Sequence, residues 1–296
     1  MGQIISCIDV QFIINNYLLD IKYVINCRHI CQKTMVKYLI ILKGVYNRNL
    51  LSIFKCIEYT CTPETNNIHL INLPSLSSLK CKNNTTLNDL SIMNSIHITY
   101  LNCGLNNYIS DLTLFRLKNL AYLNCGQNTN FTDDAISSLC NLKGLHTGLA
   151  FLTDEAIISL KKLEILIIGK NTILTDKALV NKSKLEYIDI GKNCQFNNDA
   201  LPSSLRKISM RKNIINDDIF LKLINLEYLI IRSDAMYVNP NCLKSLTKLK
   251  YLDCGNMELT DDILMHLPNL EYLKTMSAFI TDECIKKMPK LNKLCK

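Results

Sequence analysis

Residues 120–141 read LAYLNCGQNTNFTDDAISSLCN. Apolar side chains stand at the first, fourth and sixth places: Leu120, Leu123 and Cys125. That alternation predicts a short strand with one buried face. Gly126 and Asn128 then signal a turn. After Thr132 and Asp133, the spacing of Ala135, Ile136 and Leu139 predicts a short helix with a buried face of its own. A unit this small cannot cover either face. It needs neighbours of its own kind.

The neighbours are present. ITYLNCGLNNYISDLTLFRLKN (98–119) and LEILIIGKNTILTDKALVNKSK (163–184) repeat the pattern. Units start at Phe54, Leu76, Ile98, Leu120, Leu142, Leu163, Leu185, Leu205, Leu226, Leu249, Leu270 and Leu291, 20 to 23 residues apart. This period and register resemble the leucine-rich-repeat family over about four-fifths of the chain. The resemblance implies an α/β solenoid, an open horseshoe of about ten repeats with parallel strands on its concave side.

Thr132, Thr153, Thr175, Thr260 and Thr281 each precede an Asp and a helical run. They read as N-caps, with the Asp suited to the helix dipole. Asn84, Asn106, Asn128, Asn171, Asn193 and Asn213 stand nine places into their units. In leucine-rich repeats this Asn turns inward, so they read as structural groups that pair buried backbone. Cys81, Cys103, Cys125 and Cys254 hold the inward sixth place. There they read as small hydrophobes, not as disulfides or a metal site.

Places three, five and seven point outward. Place three holds Tyr100, Tyr122, Tyr187, Tyr228, Tyr251 and Tyr272. Place five includes His146, Asp189 and Asp253; place seven is mostly Gly, interrupted by Arg211 and Arg232. Tyrosine offers a large contact area at low entropy cost, and the glycine row leaves the backbone open to a ligand. This face is therefore the candidate site for a protein partner. The alternative is that the tyrosines are repeat filler and pack on one another. Lys207, Arg211 and Arg232 form only a small basic patch, with Asp189 and Asp253 in the same face, so no nucleic acid is expected.

The 296 residues carry a net charge of +8 with both signs interspersed, which gives a weak lean toward acidic partners. No run of eighteen apolar residues predicts a transmembrane helix. No secretory signal is read at the N-terminus, so the 14 cysteines point to free thiols in a reducing cytoplasm. No phosphate loop, zinc-protease helix or nucleophile elbow appears, so neither an enzyme nor a cofactor is expected. Cys27, His29 and Cys31 have ligand chemistry. On a helix, however, His29 points away from the other two, and no fourth ligand is evident, so no metal is expected.

Residues 1–45 form a separate leader ahead of the repeats at 46–296. Within it, VQFIINNYLLDIKYVINCRHICQKT (10–34) shows two helical runs broken at Asp20 and Lys22. The first run ends in Tyr17 and Leu18; the second ends in Ile30 and Cys31, with Lys33 beyond. This order resembles an F-box, although the usual Leu-Pro start is replaced by SCIDV. F-box proteins often place the module before a leucine-rich array. The resemblance implies docking to a Skp1-like adaptor of a cullin ubiquitin ligase, with the array selecting substrate. Ile13, Ile14, Tyr17, Leu18, Val24 and Ile30 would face the adaptor or join the helices. The alternative is a plain helical cap on a protein-interaction scaffold with no ubiquitin role. MGQIIS also fits an N-myristoylation pattern at Gly2, a weak anchor when alone.

Overall fold

The computed structural model describes residues 39–43, 56–63, 65–71, 73, 75–148, 152–169, 173–191, 196–197, 200–210, 218–231 and 239–295. Backbone packing divides the chain into two compact units, Met1–Leu123 and Asn124–Lys296. The first contains strands β1 (Leu39–Lys43), β2 (Cys56–Thr60), β3 (Leu76–Lys80) and β4 (Tyr100–Asn102), each parallel to the next. Strand β5 (Tyr122–Gly126) spans the boundary. The second holds β6 (Gly144–Thr147), β7 (Ile165–Ile168), β8 (Tyr187–Ile190), β9 (Lys207–Met210), β10 (Tyr228–Ile231), β11 (Tyr251–Gly255), β12 (Tyr272–Thr275) and β13 (Lys293–Cys295). These too run parallel in chain order.

Strand β1 lies inside the span expected to be the leader, and it pairs residue for residue with β2. The residues expected to face an adaptor (Ile13, Ile14, Tyr17, Leu18, Val24 and Ile30) lie outside the described residues, as does Gly2.

Parallel neighbours require a crossover, and a 20–23-residue unit leaves room for only a short helix. Helices such as Asp89–Ile92, Asp111–Arg116, Asp133–Ser137, Asp154–Ile158, Asp261–Met265 and Asp282–Lys286 have four to six residues. Asp176–Leu179 and Pro240–Ser245 tighten to 3-10 turns. None of these would persist alone in water. They are held by packing: Ala135, Ile136, Ala156, Ile157, Ile263 and Leu264 are buried, as are Leu145, Leu166, Leu252 and Leu273 of the strands in the same compact unit. One core place departs from this pattern. Lys182 stands where neighbouring units carry Leu139 and Leu160, and it is buried with them. Its ammonium donates to the Ile158 carbonyl at 2.9 Å. Burial, with Lys161 nearby, lowers its pKa.

The Asn ladder forms where it is described. Asn84, Asn106 and Asn128 are buried. Asn84 Nδ2 donates to the Thr62 and Thr65 carbonyls at 2.9 and 2.7 Å, while its Oδ1 accepts from the Leu87 N–H at 2.9 Å. Asn106 Nδ2 reaches the Leu87 carbonyl of the preceding unit at 3.0 Å. Near the C-terminus a shorter side chain does the same work: Ser277 Oγ donates to the Leu259 carbonyl at 2.7 Å. Asn171, Asn193 and Asn213 lie outside the described residues.

The Thr-Asp step does more than cap. The hydroxyls of Thr132, Thr153, Thr175 and Thr281 accept from N–H groups of their own helices. Thr260 holds the same place without a side-chain cap bond. The Asp that follows Thr132, Thr153 and Thr260 binds the cap residue of the next unit. Asp133 accepts from the Thr153 N–H and hydroxyl at 3.0 and 2.6 Å. Asp154 does the same with Thr175 at 2.8 and 2.6 Å, and Asp261 with Thr281 at 2.9 and 2.7 Å. In the first compact unit Asp89 clasps Ser110 at 2.9 and 2.7 Å. Each carboxylate takes two charge-assisted bonds from one residue, which fixes the step between units.

The Thr281 N–H, and then its hydroxyl, hold the Asp261 carboxyl below its ordinary value. A depressed carboxyl contributes stability above its unfolded pKa, and that contribution is lost as pH falls through the folded pKa. Asp261→Asn is therefore expected to melt below the parent at pH 7. The gap should close as pH drops below about 4, the unfolded Asp value. Thermal unfolding followed by circular dichroism across that range checks it.

Candidate partner-binding face

Places four and six of each strand turn into the core, and places three and five turn out. In the second compact unit the place-three residues are direct cross-strand neighbours in the order Gly144, Ile165, Tyr187, Lys207, Tyr228, Tyr251, Tyr272, Lys293. The rings of Tyr251 and Tyr272 stack with centroids 4.2 Å apart and planes within 4°. Tyr228 joins them at 5.9 Å and 28°. Lys207 bridges the remaining gap, its Nζ 4.3 Å from the Tyr187 ring and 6.0 Å from the Tyr228 ring. Lys293 closes the far end, 5.4 Å from the Tyr272 ring. Aromatic pairs and cation–ring contacts of this kind each contribute about 0.5–1.5 kcal/mol. The row is a connected ladder that still leaves Tyr228 41 % exposed.

The Tyr272 hydroxyl also donates to the Cys295 sulfur at 3.7 Å. That bond, with burial, raises the phenol pKa. In the first compact unit Tyr100 lies 5.8 Å from Lys80 Nζ, and Lys80 is itself paired with Glu58. Tyr122 opens β5 and is 37 % exposed.

Place five is mixed. His146 is half-buried on β6, and its carbonyl accepts from the Cys125 thiol at 3.4 Å. Asp189 on β8 is opposite Ser209. Asp253 on β11 is paired with Lys274 at 3.0 Å. Place two carries a charge row. Lys143 meets Glu164 at 2.9 Å, and Glu227 sits between Lys250 at 2.8 Å and Arg206, whose Nε is also at 2.8 Å. The Lys250 bond, followed by the Arg206 bond, holds the Glu227 carboxyl below its ordinary value. Arg211 and Arg232 lie outside the described residues.

The glycine row at place seven has an internal reason. A Cβ on Gly148 would sit 2.7 Å from the Gly126 carbonyl oxygen. One on Gly169 would run into the Gly148 Cα, and one on Gly191 into the Gly169 carbonyl. The neighbouring unit's backbone already fills the space that the sequence alone left open to a ligand. Gly126 and Gly255 also adopt φ of 47° and 53°, a region costly for residues with a Cβ.

The inward cysteines are buried, and burial pushes Cys125 up to about 12 and Cys254 up to about 11. At these places they fill the core as small apolar side chains. Among the described residues no group of three His, Cys, Asp or Glu is placed to hold a metal ion. Cys27, His29 and Cys31 fall outside them. Among the described residues no helix is long and apolar enough to cross a membrane.

No family model matches the chain, and no curated protein does. Solved structures do match. An internalin from Listeria monocytogenes is 20 % identical over 93 % of this chain and 88 % of its own, with a TM-score of 0.56. A leucine-rich-repeat protein of Leptospira interrogans is 18 % identical over 84 % and 81 %, with a TM-score of 0.50. Yeast Rad7, solved in complex with Elc1, is 18 % identical over 82 % and 68 %, with a TM-score of 0.52. At such identities the likeness establishes the fold alone: this chain has the leucine-rich-repeat fold.

The sequence located the tyrosine row but missed the part played by Lys207 and Lys293. The signal was there, since both occupy place three of their units. The glycine contacts lead to a specific expectation. Gly169→Ala should lose about 1–3 kcal/mol of stability, the usual cost of overpacking. Chemical denaturation measures it; an unchanged midpoint would mean that the row is not packed this tightly.

Proposed function

We propose that this chain is a protein-binding receptor with no catalytic role of its own. Its partner lies on the exposed strand face, across Tyr187, Tyr228, Tyr251 and Tyr272, with Tyr100, Tyr122, His146, Asp189 and Asp253 and the place-seven Arg211 and Arg232 as further contacts. The observation that carries this reading is the ladder itself: stacked rings and bridging lysines form a pre-ordered aromatic surface on the open side of the strands. Ordering such rings before contact lowers the entropy cost of binding.

We propose further that the chain acts in the cytoplasm as the substrate-recognition subunit of a Skp1–cullin–F-box ubiquitin ligase. The leader would dock a Skp1-like adaptor through Ile13, Ile14, Tyr17, Leu18, Val24 and Ile30. The support is the F-box-like order of residues 10–34 ahead of a leucine-rich array. Rad7, a protein of similar fold, is also seen in complex with Elc1.

Affinity purification of the full chain, beside a version lacking residues 1–38 and one with Tyr187→Ala and Tyr228→Ala, tests both statements. The deletion stops short of β1, so the strand ladder stays whole. Adaptor and cullin should come with the full chain and the tyrosine variant only. The partner should come with the full chain and the deletion, and fall at least about tenfold with the tyrosine variant, as for hot-spot residues. No Skp1-like adaptor on the intact chain leaves a scaffold with no ubiquitin role. If the tyrosine variant loses melting temperature in step with binding, the ladder is packing alone.

A further inference from the structure

The same face indicates the kind of partner it takes, an inference that rests on the partner-binding reading above. Among the described residues of the second compact unit, the outward cations of the strand face are mostly matched to carboxylates. Lys143 pairs with Glu164, Arg206 and Lys250 with Glu227, and Lys274 with Asp253. Lys207 and Lys293 are the exceptions. Their ammonium groups rest against tyrosine rings, and neither has a carboxylate within ion-pair reach among the described residues. An ammonium has three donors, and a ring face satisfies none of them as an anion would.

Both lysines lie in one row, with Tyr228, Tyr251 and Tyr272 between them. Four strand spacings separate β9 from β13, about 19 Å at the usual 4.8 Å step. An extended peptide covers that distance in about six residues. We infer that this face takes an extended acidic peptide segment that crosses the strands. One carboxylate meets Lys207 and another meets Lys293. The intervening residues lie on the tyrosine platform, whose flat rings accept peptide and aliphatic groups alike.

A nucleic acid strand fits less well. It carries a phosphate at every nucleotide, and several would fall beside Asp253, Glu227 and Asp189, which stand next to the row. A peptide can place its charges at the two ends and keep its middle neutral. The chain's net charge of +8 would speed the encounter with such a segment.

The test is fluorescence anisotropy with the full chain at low salt and three labelled probes: an end-blocked acidic peptide, Glu-Ala-Ser-Gly-Ser-Ala-Glu, the same peptide with lysine at both ends, and decathymidylate. The acidic peptide should bind, weaken as salt rises, and outcompete the other two. The double variant Lys207→Gln, Lys293→Gln should lose about tenfold in affinity, a few-fold per exposed charge, while its melting stays cooperative and well above the assay temperature. Acidic-peptide binding that is absent, or equal in the variant, overturns the inference. So does stronger binding of the lysine-ended peptide. Tighter, lysine-dependent binding of decathymidylate would make the face a nucleic acid site instead.

The two proposals fail separately. If the purified partner is lost with the tyrosine variant but kept with the lysine variant, the face stands and the acidic partner falls. If the acidic peptide needs the lysines while the tyrosine variant keeps the partner, the anion site stands and the partner face falls.

Discussion

A unit of 20 to 23 residues folds one strand and one short turn of helix, and both are half apolar. Neither survives alone, because the helix is below the length at which nucleation is repaid. Burial between successive units is therefore the interaction on which everything else depends. Leu145, Leu166, Ile188 and Leu252 are buried, and a repeat this short cannot cover its own apolar face. Each large apolar side chain so covered contributes about 1.5–3 kcal/mol.

Burial alone would let the units slide. The polar groups set the step. The Asp133–Thr153, Asp154–Thr175 and Asp261–Thr281 clasps tie the start of one helix to the start of the next. Asn84, Asn106 and Ser277 reach back to carbonyls of the preceding unit on the other side of the helix start. At the end of the strands, Gly148, Gly169 and Gly191 let the backbones close to a separation that no Cβ would allow. With the step set in this way, outward side chains of successive strands must meet. The tyrosine–lysine ladder is the consequence.

Much of this was legible in one dimension. The places that turn inward, the threonine caps and the inward asparagines follow from chemistry that repeats with the period. Other features were not. Thr-Asp read as a cap plus a charge for the helix dipole, because nothing local shows that Asp133 reaches a residue twenty positions on. The glycines read as open space, since a sequence does not show what stands beside a missing Cβ. Ser277 did not register as a ladder member because it stands one place early and is not Asn.

The sequence by itself determined the period, the direction each side chain faces, and hence the class of fold. Those are properties of short segments, set by alternation and turn chemistry. Only the tertiary structure decided which outward side chains touch. Lys207 lies between Tyr187 and Tyr228, twenty and twenty-one residues away, because strand spacing brings place three of each unit beside the next. That contact turns three separate residues into one surface, and it exists only once the units are stacked.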